Sequence, residues 1–170
     1  MNMRVITAAL AAALACGWIP PVAGAGFQDP LAVPSQSSAL ASRSLLLAVA
    51  RAGTRLVAVG QRGHILYSGD TGETWQQARV PVSSDLTALF FVTDQLGWAV
   101  GHDGVILHTR DGGVTWTLQL DGRRANERLV EHLQHRSTEE PRNAEMQRLL
   151  DEAKRFKEQG ADKPFLDVWF

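Results

Sequence analysis

Ser68-Gly-Asp-Thr-Gly-Glu-Thr-Trp75 and Thr109-Arg-Asp-Gly-Gly-Val-Thr-Trp116 are one phrase, [Ser/Thr]-x-Asp-x-Gly-x-Thr-Trp, written twice at a spacing of 41 residues. A fixed period near 40 residues, built of short β-rich runs, is the mark of propeller blades or of a solenoid. The residue types within the phrase explain why it should recur. An Asp side chain in a turn accepts hydrogen bonds from the N–H groups of its own loop. A glycine two residues on permits a positive φ at little cost. The tryptophan that opens the following strand can bury roughly 150–250 Å² between layers. Asp70, Gly72 and Trp75 fill these roles in the first copy, and Asp111, Gly113 and Trp116 in the second, with Ser68 and Thr109 adding hydroxyls to the same network.

Working outward at the 41-residue shift, Ser44–Ala50 overlays Asp85–Phe91, Val57-Ala-Val-Gly60 overlays Trp98-Ala-Val-Gly101, and Ile65-Leu66 overlays Ile106-Leu107. Each copy then holds four short strands: 44–50, 55–60, 64–68 and 75–80 in the first, and 85–91, 96–101, 105–109 and 116–121 in the second. Gly53, Arg62-Gly63 and the Asp phrase punctuate them, and Asp103-Gly104 between apolar runs is a hairpin signal. Four short antiparallel strands per repeat describe a propeller blade. The expected fold class is therefore all-β, with two blades over 44–121.

On either side the pattern changes. Arg4, the apolar run Val5–Ala15 and the small-residue site Ala23-Gly24-Ala25 read as a secretory signal peptide over 1–25. The run is too short to span a bilayer. Cys16, the only cysteine, lies in this leader; a lipoprotein box at Ala13–Cys16 is the less favoured reading, because Ala stands where Leu is usual. Residues 26–43, rich in Pro and Ser, read as a flexible linker. Residues 122–163 read as a charged helical insertion. Of the 35 Asp, Glu, Lys and Arg in the chain, 20 fall within 121–163, balanced in sign, and apolar residues recur there at helical spacing (Leu129, Val130, Leu133; Met146, Leu150, Ala153). The joint is expected at Ser137–Glu140, with Pro141 in the first turn of the second helix and Gly160 at its end. Pro164–Phe170 overlays Asp85–Phe91 in pattern and reads as the first strand of a third blade, as if the sequence were the N-terminal part of a longer protein.

The run Leu96-Gly-Trp-Ala-Val-Gly-His-Asp-Gly-Val-Ile-Leu-His-Thr-Arg-Asp-Gly-Gly-Val-Thr-Trp116 carries a resemblance. The phrase resembles the Asp-box, or bacterial neuraminidase repeat, and the longer run is similar to the blade signature of the photosystem II assembly/stability factor family. The resemblance covers 44–121 well and 164–170 weakly, while 121–163 has no counterpart in the signature. It implies an exported, non-catalytic propeller scaffold that binds a membrane protein complex or its assembly intermediate. Such a scaffold would lie in the periplasm, or in the thylakoid lumen of a photosynthetic source. It also implies that Ser68, Asp70, Gly72, Trp75, Thr109, Asp111, Gly113 and Trp116 are structural, fastening peripheral turns.

The same residues bear on other functions. A net charge of −1 without a basic face argues against nucleic acid. One Asp per turn is too few carboxylates for a calcium site. His132 and His135, three apart on a charged helix, lack the further ligands a metal needs. A sialidase-like enzyme requires an arginine cluster and a tyrosine nucleophile with its glutamate. Tyr67 is the only tyrosine and adjoins a structural turn, and Arg51, Arg55, Arg62, Arg79 and Arg110 are scattered. No cofactor and no small-molecule substrate is expected. A carbohydrate-active Asp-box protein and a periplasmic accessory of an envelope transport system stay open as alternatives, since a fold does not grant a function.

Overall fold

A computed structural model describes residue 26 and residues 28–170, so the expected signal peptide and Cys16 lie outside the described residues. Two four-stranded antiparallel sheets form, each a simple meander: β1 (Leu46–Ala52), β2 (Arg55–Gly60), β3 (Ile65–Ser68) and β4 (Gln76–Gln77), then β5 (Leu86–Phe91), β6 (Gly97–Gly101), β7 (Ile106–Thr109) and β8 (Thr117–Leu120). Two helices follow, α1 (Gly122–Glu139) and α2 (Ala144–Gln159). The chain is thus mostly β and has the form of partial propeller blades.

The core lies between the sheets. Val57, Val59 and Ile65 of the first blade and Leu86, Ala99 and Leu107 of the second are each fully buried in one apolar cluster. Alternation along β2, β3, β6 and β7 sends one residue in two toward the neighbouring blade.

The strand register corrects one expectation. Leu46 pairs with Gly60 and Leu86 with Gly101, so β5 follows β1 by 40 residues, whereas Gly60 and Gly101 are 41 apart. The extra residue sits in the β5–β6 loop. Leu46 therefore overlays Leu86 rather than Thr87, and a one-residue slip exchanges the two faces of a strand. Gly60 and Gly101 are needed here because a Cβ on either would strike the backbone oxygen of Leu45 or Asp85. The hairpin turns at Arg62-Gly63 and Asp103-Gly104 place both residues of each pair at positive φ, as two-residue hairpins require.

The residues expected to form a flexible linker lie against the blades. Ser35 N donates to Val80 O (3.1 Å), Ser83 N donates to Pro30 O (2.9 Å), Asp29 pairs with Arg123 (2.6 Å) and Ala41 is buried. Composition marks a Pro/Ser stretch as non-repetitive. It does not reveal that the backbone groups of such a stretch find partners in the connection between the two sheets.

The helical pair forms a hairpin with its own small core of Val130, Leu150 and Ala153, flanked by Leu133. Asp121 caps α1 through Arg124 N (3.0 Å) and Asn143 caps α2 through Met146 N (3.1 Å). The joint is accordingly 140–143, and Pro141 precedes α2 rather than opening it, because Asn143 supplies the cap. Gly160, at φ 89°, ends α2. Over 164–170 no strand is assigned. A strand is defined by its ladder, and this segment has one backbone bond, Phe165 N to Gly101 O (3.0 Å), with Thr87 Oγ1 donating to Phe165 O (2.6 Å).

Candidate functional site

In a meander, alternate turns share an end. The two Asp phrases and the β1–β2 and β5–β6 loops occupy one end of the blade pair. The hairpin turns at 61–63 and 102–104, the N-terminal arm and the helical hairpin occupy the other.

Each Asp phrase is closed on itself. Asp70 Oδ1 accepts from Ser68 Oγ (2.7 Å) and Thr74 N (2.9 Å), and its Oδ2 from Thr74 Oγ1 (2.5 Å). Asp111 Oδ1 accepts from Thr109 Oγ1 (2.8 Å), Val114 N (3.1 Å) and Thr115 N (2.9 Å), and its Oδ2 from Thr115 Oγ1 (2.6 Å). Ser68 Oγ and Thr109 Oγ1 in turn accept from Gly72 N (2.8 Å) and Gly113 N (3.1 Å). The Thr74 hydroxyl, then its N–H, then Ser68 hold the Asp70 carboxyl down to about 2. Burial pushes Asp111 up, and the bonds from Thr115, Thr109 and Val114 outweigh it, leaving that carboxyl also below its ordinary value. In both turns the hydrogen bonds to the carboxylate favour its ionised form.

The glycines of the phrase take the left-handed conformation, Gly72 at φ 98° and Gly113 at φ 90°. Between Asp and Gly the two copies differ. Gly112 is at φ 68°, and in the first copy the same place is held by Thr71 at φ 60°, a β-branched residue in a region it rarely adopts.

The tryptophans part company. Trp116 is buried, with its Nε1 donating to Gly113 O (3.0 Å) and its ring edge-on to Phe91 at 6.1 Å. It stands at the seam between the blades. There Trp116 N donates to Arg79 O (3.1 Å), Arg79 N donates to Val114 O (3.2 Å), and Arg55 Nη1 reaches the carbonyls of Asp111 (3.0 Å) and Gly112 (2.9 Å). Trp75 is only half-buried. It borders an open apolar groove of about 440 Å³ with Leu46, Leu47, Ala48, Val49 and Ala58.

Tyr67 donates its hydroxyl to Gln76 Oε1 (2.9 Å) and lies under the Arg55 guanidinium at 5.3 Å, so both groups serve packing at the blade seam. His64, buried against Ser44 Oγ (3.1 Å), has its imidazole held below the ordinary value by burial first and by Arg62 second, against an opposing bond with the Gln36 backbone. His108 is lowered by burial and then by Arg110, and stacks on Trp98 at 4.7 Å. Among the described residues no group of three or more His, Cys, Asp or Glu is placed to hold a metal. What sequence reasoning missed is the outer surface of the second blade. The strand register puts Phe90 opposite Trp98 there, and Phe170 packs on both rings at 4.8–6.0 Å, a contact outside any strand pairing.

Twin Asp-centred turns bracing paired four-stranded antiparallel blades define a protein of the β-propeller class. The family model for photosynthesis system II assembly factor YCF48 matches residues 34–146, which include both blades, and the chain belongs to that family. Photosystem II assembly protein Ycf48 of Thermosynechococcus vestitus is 36% identical over 50 residues, a match covering 28% of this chain and 14% of that protein's length. A solved structure of YCF48 bound to a D1 peptide aligns with a TM-score of 0.39 at 24% identity, over 45% of this chain and 27% of that one.

Proposed function

We propose that the chain serves as a non-catalytic binding scaffold. It is exported by its N-terminal leader, and its rigid blades present loops and a face to a membrane protein complex or to an intermediate in that complex's assembly. In a photosynthetic cell the complex is photosystem II and the compartment the thylakoid lumen; elsewhere the compartment is the periplasm. The observation that carries this reading is the family match running unbroken across both blades. The chemistry of the repeated phrase supports it. Asp70 and Asp111, the carboxylates that a hydrolase reading would first enlist, are held in their ionised form by donors from their own turns, three on Asp70 and four on Asp111. An acid held far below neutral cannot donate a proton at physiological pH. Binding on such a scaffold rests on surface complementarity and on loops held by a rigid frame.

The test is capture of a tagged form from cross-linked membranes of the source cell. The expected result is enrichment of a subunit of one membrane complex, at a higher ratio in cells blocked in assembly of that complex than in cells holding it mature. Recovery of no membrane protein above a tag-only control, or turnover of a fluorogenic sialoside by the purified protein, overturns the reading.

A further inference from the structure

The turn between the second and third strands exists in two copies, and the first copy departs from the second at two positions. In the second blade the turn carries Asp103 at φ 56°, its carboxylate accepting from Ser84 Oγ (2.6 Å). Val105 follows, fully buried in the apolar cluster. Aspartate tolerates the left-handed region and valine suits a core, so each residue fits its place. In the first blade the same places are held by Arg62, at φ 55°, and His64. Arginine has no short polar side chain to offset a left-handed backbone. The His64 imidazole, 7% exposed, stands where the repeat puts an apolar side chain. Residues that break a rule kept by their own repeat are expected where function, rather than folding, has chosen them.

Both departures line one cavity. It holds about 450 Å³ between the turn and the N-terminal arm, with Ser83 beside Arg62 and His64 on the blade side and Gln36, Ser37 and Ser38 on the arm side. Arg62 and His64 are the only titratable residues in its lining, which holds no carboxylate. The Arg62 backbone is pinned, its N donating to Asp85 Oδ1 (2.8 Å) and its O accepting from Ser35 Oγ (3.0 Å). Its guanidinium forms no ion pair among the described residues, whereas the carboxylate of its counterpart Asp103 is engaged. Nδ1 of His64 is bonded to Ser44 Oγ (3.1 Å), which fixes the ring at the cavity wall. We infer that this cavity binds a small hydroxylated oxyanion, with its charge on the Arg62 guanidinium beside His64 and its hydroxyls on the serine and glutamine side chains. A cavity of this size accepts a small molecule, and a guanidinium pairs with carboxylate or phosphate alike. Such a ligand also offsets the Arg62 charge that, after burial, holds the His64 imidazole below its ordinary value. The site goes beyond the scaffold reading and does not depend on it.

The test is a titration of the full chain, isotope-labelled at histidine, followed by NMR at the His64 ring. Sodium glucuronate and sodium phosphate are added in separate arms, with sodium chloride at matched ionic strength as the control. His64→Val, which installs the residue of the second blade, assigns the signal. The His64 signal is expected to shift to saturation with at least one oxyanion, and its protonation to move to higher pH, with neither change in chloride. Saturation by glucuronate alone identifies a carboxylate ligand, by phosphate alone a phosphate ester, and by both an oxyanion of either kind. Arg62→Asp likewise installs the residue of the second blade, which already holds the same backbone angle, so the turn keeps its fold. This variant is expected to bind the same oxyanion about tenfold more weakly or worse, the loss of one charge-assisted bond. No saturation in either arm, an equal shift in chloride, or unchanged binding by R62D overturns the inference.

Discussion

Asp111 accepts four hydrogen bonds in a partly buried turn, and Asp70 accepts three in a more open one. Hydrogen bonds to charged groups contribute more than neutral ones, and the donors stranded by their loss add a penalty. Asp111→Ala is therefore expected to cost about 2–3 kcal/mol in denaturant unfolding. Asp70→Ala is expected to cost less, because water can reach its donors. Both carboxyls are lowered on folding, so the folded state favours their ionised form. Their contribution is complete above the unfolded value of about 4 and is lost as pH falls through the folded one. For Asp70 that window runs down to about 2. His64 adds to the same trend, since a buried imidazole lowered on folding resists protonation as pH drops through the range just below its ordinary value. The urea midpoint should fall between pH 4 and pH 2, and Asp70→Asn should flatten that fall. Thr71 sits at φ 60°, where a side chain costs roughly 1–2 kcal/mol, partly offset by the greater unfolded freedom of glycine. Thr71→Gly is expected to stabilise by about 0.5–1 kcal/mol on that balance. Gly112→Thr is expected to destabilise, because a Cβ there meets Arg55 Nη1 at 2.8 Å and Asp94 O at 2.9 Å.

At the scale of the elements, identical phrases do unequal work. Trp116 lies 4% exposed in the seam, so truncation to Ala opens a large void and is expected to cost about 3–5 kcal/mol. Trp75→Ala, on the open face, should cost well under half as much, and paired urea titrations of the two variants check the ratio. The helices differ from the blades in what supports them. Their core is three buried residues and one partly buried, against more than a dozen in the blades. Caps therefore matter in the hairpin, and Asn143→Ala is expected to loosen α2 by about 1 kcal/mol, seen in helical ellipticity rather than in tryptophan fluorescence.

For the molecule as a whole, one apolar cluster runs through both sheets, so neither blade has a core of its own to melt around. The blades should unfold together. The hairpin touches them chiefly where α1 starts, at Gly104 and Gly122, and should open first. Among the described residues the tryptophans are Trp75, Trp98, Trp116 and Trp169, all outside α1 and α2. On heating, ellipticity at the helical band should decline before tryptophan emission shifts. Coincident curves would show that the hairpin is part of the blade core.

The sequence by itself determined the blade, because its fasteners are local. The Asp, Gly and hydroxyl of each phrase bond within seven residues, and local chemistry leaves the same trace wherever it recurs. The helical pair was legible for a related reason, since its apolar spacing follows the turn of the helix. Tertiary structure alone decided which copy of each residue is covered. Val49 and Leu89, or Trp75 and Trp116, are near-equivalents in sequence, and their burial depends on whether a neighbouring blade stands opposite. It also decided the 40-residue register of β5, hidden because that strand is apolar on both faces, and the docking of the Pro/Ser arm. The arm is held in part by backbone groups of Val80 and Ser83 between β4 and β5, and backbone groups carry no sequence signature.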